Sequence, residues 1–496
     1  MISTIRRIII TAADLFFVAC GVSAAEGMDC CEMTVCDSAA CDSSCVVVKK
    51  RPLRAAALVV GMNTGLWLYD RYVRKDDWFK ISGKTIKNNF DNGFNWDWDY
   101  DRFVTNLFGH PYNGNLYYNA ARSNGMNYWV STAYALGGSL TWEYFSEAQH
   151  PSTNDIISTS IGGSAIGEAT HRISEGILDD SKRGAERVGR EVLALLINPI
   201  GGLNRLLNGD SWRVRSPRNG NGGRPSAFDL SVGAYGGTLY EGTGLMRGDA
   251  YFGINLNCSY GNFLDRSKKP YEAFRMKSSL CLDGSQPLVG KLDIIGDLVT
   301  GVRKGKGDWR TTYGIYQYFD YFNSKKTGAD DRPSVELAQI ASFGPGIVVG
   351  TDGDRSSWRI EEGIFTGAVI LGGCKSDHFR YGDRDYNMGS GFSVRSTTRV
   401  AYRHAVDIGL DVMDINLYTW KGGTVEELRD KKVENIQGDR GHASMMVLNP
   451  SIEVFVSHRL SLSLEAYYFL RRSYYKDYDH VWARVTDTQL SFAYHL

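Results

Sequence analysis

The strongest constraint on the fold is the alternation of apolar and polar side chains that recurs from about Ser226 to the terminal Leu496. Between Ala250 and Tyr260, every second residue is apolar, and the residues between them are mostly small or polar. Side chains of an extended strand point alternately to opposite faces, so this stretch is apolar on one face. Many of these strands exceed ten residues and recur as hairpins. This is typical of a membrane barrel whose apolar side chains face lipid.

About twelve strands are predicted in this part of the chain. They lie near 226–240, 247–262, 270–284, 286–303, 308–322, 334–350, 356–374, 389–402, 404–418, 442–457, 459–474 and 481–496. Long connections at about 323–333, 375–388 and 419–441 alternate with short ones, as outer loops and inner turns do in such barrels. We therefore expect an antiparallel transmembrane β-barrel of about twelve strands over residues 226–496, in a chain that is mainly β with an α-helical N-terminal part.

Composition narrows the possible partners and does not oppose a barrel. The 496 residues include 56 Lys+Arg and 56 Asp+Glu, so no basic excess favours nucleic acid. Aromatic residues make up 12% of the chain, which suits aromatic girdles at two membrane interfaces. The expected partners are outer-membrane lipid and, during insertion, the barrel-assembly machinery. The sequence indicates no cofactor and leaves the oligomeric state open.

The amino terminus is predicted to direct export. Two arginines precede an apolar run and a Ser-Ala-Ala cleavage site, so residues 1–25 are interpreted as a signal peptide. A second possibility is lipoprotein processing, which would attach lipid to Cys20. Residues 26–50 are interpreted as a Cys-rich tether. Its five cysteines suit disulfides or a soft-metal site but match no zinc spacing well. Either route places the mature chain beyond the inner membrane, and we expect it in the outer membrane.

Residues 51–210 are predicted to form a helical domain, followed by a Gly- and Arg-rich linker at 211–225. Small residues recur through the domain, as at Gly137–Gly138 and Ile161–Gly167, and they let helix backbones approach closely. No segment is long and uniformly apolar enough to be a lone membrane span. We therefore expect the helices to fill the barrel as a plug or to cover its periplasmic side as a cap.

Many Gly, Trp and charged positions fall together between Trp96 and Ser174. Examples are His110-Pro111-Tyr112, Trp142-Glu143-Tyr144, Gly167-Glu168 and His171-Arg172. In order and spacing, this segment resembles domain of unknown function 3943 (DUF3943), a family of bacterial envelope proteins. The resemblance implies an outer-membrane setting. It implies no reaction, substrate or catalytic residue.

Six side chains of the helical domain are candidates for chemistry. They are His110, Glu143, Glu147, Asp155, Glu168 and His171. On a helix, Glu143 and Glu147 share a face, and so do Glu168 and His171. A Glu-x-x-His step occurs in di-metal helical sites, but those sites use two such steps, so a metal is left open. A hydrolase would pair a histidine base with a serine nucleophile, and no Gly-x-Ser-x-Gly elbow is present. The candidate nucleophiles are Ser139, Ser152 and Ser174.

The alternative to chemistry is a structural polar network, because buried charges need partners. Arg122 and Arg172 are the nearest candidate partners in sequence. Inward-facing barrel residues are further candidates: Arg275, Lys277, Lys291, Asp293, Arg399 and Glu465. The spacing of Asp97, Asp99 and Asp101 is similar to that of a calcium loop but lacks the loop's Gly and Glu, so the segment is interpreted as an aromatic-acid stretch near a membrane edge.

The sequence therefore favours an outer-membrane barrel that a helical domain braces or plugs, with a structural role or passage of a small solute. One alternative is an envelope enzyme that acts on lipid or lipopolysaccharide through the Glu/His residues. Another is a surface binding or adhesion barrel that uses the 419–441 loop. Of these classes, enzymatic activity is less favoured than a non-enzymatic role.

Overall fold

The fold is that of a computed structural model of the chain. The predicted signal peptide, the cysteines from Cys20 to Cys45 and most of the linker lie outside the residues that the structure describes. Those residues are 50–93, 95–215, 227–284, 287–326, 332–351, 357–381, 384–403, 405–429 and 435–496.

Twelve long antiparallel strands close into a barrel, as the alternation predicts. They are β1 (Phe228–Glu241), β2 (Asp249–Tyr260), β3 (Phe274–Cys281), β4 (Val289–Lys304), β5 (Trp309–Asn323), β6 (Glu336–Thr351), β7 (Trp358–Lys375), β8 (Tyr386–Tyr402), β9 (Val406–Thr419), β12 (Gly441–Ser457), β13 (Leu460–Tyr475) and β14 (Val481–His495). The short strands β10 (Gly422–Gly423) and β11 (Gly438–Asp439) pair within the connection between β9 and β12. The ring closes between β1 and β14, where Ser231 lies opposite His495.

The two ends of the barrel differ. We call the end where β1 begins and β14 ends the terminal rim, and the opposite end the loop rim. The long connections 324–335, 376–385 and 420–440 lie at the loop rim, as expected from the sequence. The connection 261–273 at the terminal rim is longer than predicted.

Ion pairs between strands that are not neighbours define the lumen side of the wall. Arg395 on β8 pairs with Asp320 on β5, and Lys277 on β3 lies 3.3 Å from Asp411 on β9. Side chains alternate along a strand, so the odd-numbered residues of Gln317–Tyr321 on β5 face outward.

Over much of the wall, the outward side chains form an exposed apolar belt. Its members include Phe252, Ile254, Ile364, Phe392, Val394, Ile408, Leu410, Ile452, Val454, Leu462, Leu464, Leu490 and Phe492. Towards the loop rim, His442 stacks between Tyr418 and Tyr474, with ring centroids 5.2 and 4.7 Å apart. An apolar belt edged by aromatic rings is the outer surface of a membrane barrel.

Among its described residues, the helical domain at 50–215 contains eight α-helices. They are α1 (Pro52–Leu68), α2 (Gly83–Asp91), α3 (His110–Arg122), α4 (Tyr128–Phe145), α5 (Thr153–Ile157), α6 (Gly163–Ile177), α7 (Gly184–Ile197) and α8 (Pro199–Asn208). A short helix, α9 (Val425–Arg429), lies in the connection between β9 and β12. Asn127 caps α4 by accepting a hydrogen bond from the backbone of Val130. Among the described residues, no helix combines the length and apolar character needed to cross a membrane.

Small residues hold the helices together. A Cβ on Gly114 of α3 would lie 1.7 Å from the carbonyl oxygen of Thr159, and one on Gly163 would lie 2.6 Å from the backbone of Gly114. The two backbones therefore touch at this crossing, which only glycine permits. The sequence predicts this close approach from its glycine spacing.

The helices pack on the outward side of the barrel wall. Ile294, Phe319 and Tyr321 all face outward, and all three are fully buried in one cluster with helical residues such as Tyr118 and Ile166. The expected plug or periplasmic-side cap is therefore not what the described residues form. The alternation identifies outward apolar positions correctly, but it does not distinguish positions that meet lipid from positions that meet protein.

The helical domain extends from one rim of the wall to the other. At the terminal rim, Gly176 of α6 packs so closely on the ring of Phe228 that a Cβ would lie 2.8 Å from it. At the loop rim, Asn106 donates a 2.8 Å hydrogen bond to the hydroxyl of Tyr386. Since Phe228 begins β1 and Tyr386 begins the oppositely directed β8, the helices cover the full height of the wall.

Candidate functional site

The structure divides the six candidate residues into two groups. His110, Glu143, Glu147 and Asp155 lie together near the loop rim, and we call them the acid–histidine cluster. Glu168 and His171 lie apart from them on α6. The sequence places all six in one domain but does not predict this separation.

The acid–histidine cluster is assembled from three parts of the helical domain. His110 begins α3, and its Nε2 lies 3.4 Å from Oδ1 of Asp155 on α5. Glu143 near the end of α4 accepts a 2.8 Å hydrogen bond from the backbone of Ser152. Glu147 follows α4 and accepts a 2.6 Å hydrogen bond from the indole of Trp142.

Two carboxylates that sequence reasoning discounted complete this cluster. Asp99, Asp101 and His110 each offer a ligand atom, and these atoms lie within 4.8 Å of one another. The backbone N–H of Asp99 bonds to the side chains of Ser152 and Asn154, which fixes the segment beside α5. In the sequence, the only indication of a cation site at Asp99 and Asp101 is the Asp-x-Asp-x-Asp spacing. Its relation to His110 depends on tertiary packing.

The carboxyl groups of this cluster repel one another. Burial and then the nearby Asp155 carboxylate raise the pKa of Glu147 to about 8. Burial and then Asp99 raise the pKa of Asp155 well above its usual range. A bound cation would relieve this repulsion. Carboxylate oxygens with one imidazole suit a first-row divalent ion such as Mn²⁺, Fe²⁺ or Zn²⁺.

The second group is an ion-pair cluster around Glu168. Its carboxylate accepts hydrogen bonds from Tyr118 at 2.6 Å, from Nε of Arg122 at 2.8 Å and from Nε of Arg172 at 2.8 Å. These donors occupy both carboxylate oxygens. Nδ1 of His171 is buried without a hydrogen-bond partner among the described residues. This arrangement corresponds to the structural network, and Glu168 is not free to act as a base.

The described contacts do not assemble the expected serine hydrolase. The hydroxyl of Ser139 is buried without a partner, that of Ser152 donates to Asn154, and that of Ser174 donates to the backbone of His171. Within the described part of the chain, none of the three hydroxyls bonds to a histidine ring. A nucleophile activated by histidine is therefore not supported by this geometry.

The lumen contains a second group of charged residues. All six barrel residues named from the sequence face inward, and they pair with other wall residues instead of with the helices. Lys291 bonds to the hydroxyl of Tyr467 at 2.6 Å, and Arg275 bonds to Glu361 at 2.5 Å. Arg399 bonds to Asp411 at 2.7 Å. The helical domain lies outside the wall and does not reach these charges. They therefore pair with other residues of the wall inside the lumen.

The two halves of the lumen differ in polarity. A cavity of about 730 Å³ occupies the half near the terminal rim, and its lining includes charged residues of both signs together with apolar side chains. The half near the loop rim is packed with mostly apolar side chains, which we call the apolar layer, and buried polar groups such as Lys291 and Gln339 lie among them. The inward side chains of the apolar layer include Tyr235, Leu239, Tyr251, Phe322, Leu337, Met413, Ile415, Met445, Val447 and Tyr467. The polar cavity therefore ends within the barrel.

Comparison with known proteins confirms the family resemblance stated for part of the helical domain. Residues 95–200 match the family model described as "Domain of unknown function (DUF3943)". No curated protein matches the chain. Three similar solved structures are the NanC porin (10% identity, TM-score 0.27), the CymD monoaromatic hydrocarbon channel (7%, 0.21) and the Pseudomonas putida toluene transporter TodX (7%, 0.20). In the same order, the matched regions cover 54%, 55% and 55% of this chain. They cover 99%, 88% and 89% of the chains in the solved structures.

Proposed function

We propose that this chain, whose residues 95–200 form a domain of the DUF3943 family, is an outer-membrane protein with a braced barrel and a blind polar vestibule. The helical domain braces the wall from outside. The lumen admits small polar solutes from the terminal rim and stops them at the apolar layer. The observation that carries this proposal is the change from a polar cavity to packed apolar side chains within one lumen.

The closed sheet and the apolar outer surface of the barrel support a location in the outer membrane. A closed barrel satisfies its backbone hydrogen bonds between strands, so it can cross a bilayer without an exposed sheet edge. The apolar belt on the outside can contact lipid, and the paired charges on the inside can contact water. The terminal rim would face the periplasm and the loop rim the exterior, because long connections are typical of the outer side.

The charge pattern of the vestibule suggests the kind of solute that it would accept. Arginines, lysines and carboxylates all line the cavity, as with Arg275 beside Glu361 and Arg399 beside Asp411. A volume of about 730 Å³ is typical of small-molecule sites. A wall of mixed charge is complementary to a small zwitterionic solute, since it offers partners to both charges.

Conductance in planar bilayers tests the blind vestibule. Tyr467 belongs to the apolar layer and faces the lumen, whereas the next residue, Tyr468, faces outward. Tyr467→Ala should raise the conductance because it removes a ring from the layer. Tyr468→Ala is the matched control and should leave the conductance unchanged. A steady open conductance in the unmodified protein would contradict the proposal.

The acid–histidine cluster favours a second candidate function, metal-dependent hydrolysis of envelope lipid. Asp99, Asp101 and His110 are close enough to share one ion. The cluster lies at the loop rim, where the backbone carbonyl of Asp99 accepts a 3.3 Å hydrogen bond from Arg384. A site at this rim would meet lipid head groups.

Manganese binding to the intact protein tests this second candidate. His110→Ala should abolish high-affinity Mn²⁺ binding measured by electron paramagnetic resonance. His150→Ala, which alters an exposed histidine near the cluster, should not. The Asp99→Asn variant should change the lipid profile of isolated envelopes. Equal Mn²⁺ affinity of both histidine variants would count against the candidate.

A further inference from the structure

We propose that the helical domain has a lipid-contacting face of its own, formed by α1 and α4, that meets acyl chains beside the barrel belt. This inference rests on the proposed outer-membrane location and deepens it. The surface consists of exposed apolar side chains of these helices: Val60 and Leu68 of α1 and Trp129 of α4. We call this surface the helical belt.

The exposed side of α1 has no charge along most of its length. No charged residue occurs from Ala55 to Leu68, and Val60 is 57% exposed. Charged residues flank this stretch, with Arg54 before it and Asp70 after it. Fourteen helical residues extend about 21 Å, close to the height of about 25 Å that is typical of a barrel's apolar band.

The polar side chains of this stretch are satisfied within the protein. Asn63 is turned inward and bonds to the carbonyl of Gly138 and the hydroxyl of Thr141. The hydroxyl of Thr64 bonds to the carbonyl of Val60, one turn earlier in α1. The indole of Trp67 bonds to the carbonyl of Phe79. A helix in contact with lipid needs such internal partners because acyl chains offer none.

Helix α4 is mostly buried and adds Trp129 to this surface. It has no charged residue from Tyr128 to Trp142, and Glu143, which follows, is buried. Thr132 bonds to the carbonyl of Tyr128 within the helix. Trp129 is 60% exposed near the start of α4, next to Tyr128, which bonds to Gln317 near the middle of β5.

The position of the helices places the helical belt at the depth of the barrel belt. The helical domain contacts Phe228 at the terminal rim and Tyr386 at the loop rim, so it covers the height that the strands cross. A domain fixed along the outside of a membrane-spanning wall lies in the plane of the same bilayer. The barrel belt therefore continues onto the helices, and acyl chains are the occupant that this continuity supports.

Site-specific photo-crosslinking in intact envelopes tests the inference. A photoreactive amino acid is placed at Val60 in the helical belt, at Leu464 in the barrel belt and at Lys87, whose side chain is 73% exposed on α2. Only chains that show heat-modifiable migration are analysed, so misfolded variants do not contribute. We expect phospholipid adducts at Val60 in a yield comparable with Leu464 and well above Lys87.

The same measurement separates this inference from the proposed function. Lipid adducts at Leu464 without adducts at Val60 would overturn the helical belt and leave the barrel in the membrane. Adducts between two chains at Val60, in place of lipid, would overturn it in favour of a self-association surface. Absence of lipid adducts at both Val60 and Leu464 would overturn the outer-membrane location itself.

Discussion

The hydroxyl of Tyr128, the first residue of α4, donates a 2.6 Å hydrogen bond to Gln317 on the outward face of β5. Gln317 also accepts a 3.0 Å bond from Tyr271 and donates to the carbonyl of Ile161. An amide on the outward face of a barrel would be costly in lipid. This part of the wall is therefore built to be covered by the helices.

Removing the Tyr128 hydroxyl should weaken this attachment. We expect Tyr128→Phe to lower the free energy of unfolding by about 1 kcal/mol, because Gln317 keeps Tyr271 as a donor. Urea unfolding in liposomes, followed by protease resistance of the helical domain, measures the change. Tyr112→Phe, at a partly exposed site on α3, is the control. Equal stability of both variants would argue against the contact.

The glycine crossing of α3 should not tolerate a side chain. A Cβ on Gly114 would lie 1.7 Å from the carbonyl oxygen of Thr159, so Gly114→Ala must separate the two backbones. We expect a loss of about 3 kcal/mol or more, at the upper end of overpacking costs. Gly189→Ala on α7 meets no atom within 4 Å and should stabilise by roughly 0.5–1 kcal/mol. Thermal melts of the two variants should therefore shift in opposite directions.

The Glu168 carboxylate should be essential for stability. Glu168→Gln removes a fully buried carboxylate and leaves the partly buried Arg122 and Arg172 without their counter-charge, which costs roughly 3 kcal/mol. Asp91→Asn removes a surface ion pair with Lys87 and should cost at most about 1 kcal/mol. Both variants are compared by urea unfolding. Similar, small losses in the two would show that the buried network contributes little.

The raised pKa of Glu147 should make stability depend on pH. Burial and the Asp155 carboxylate raise its pKa to about 8, from an ordinary value of 4.5. Between these values the folded state keeps a proton that the unfolded state releases, so the contribution of Glu147 to stability is fully present below pH 4.5 and is lost as the pH rises through 8. Unfolding curves from pH 5 to 8 should show this fall, and Glu147→Gln should reduce it. An unchanged pH dependence in the variant would exclude Glu147 as its source.

The barrel could be predicted because its signal is local and repeated. The period-two alternation determines which residues share a face, and the limits of all twelve strands lie within four residues of the predicted ones. The position of the helices could not be predicted in this way. Phe319 and Leu490 are both outward apolar residues of strands with the same period-two pattern. Phe319 is buried against the helices, whereas Leu490 is exposed.

The candidate site was predictable only in part. Glu143 and Glu147 are recognisable from their spacing, although α4 ends at Phe145 and Glu147 is not on the predicted shared helix face. Glu168 is recognisable from the arginines of the same domain. Asp99 could not be assigned to the cluster, because its approach to His110 depends on pairing of the 96–99 segment with the chain before α5. Local sequence does not encode such a contact between distant segments.

The central claim is that the helices lie outside the barrel wall, and crosslinking from two adjacent residues of β4 tests it most directly. Ile294 is buried against the helical domain, and Ile295 is buried in an inward-facing cluster with Tyr318 and Phe365. A leucine-sized photoreactive residue at Ile294 should crosslink to peptides from residues 103–177, and one at Ile295 only to barrel peptides. Helical adducts from Ile295, with none from Ile294, would contradict the claim.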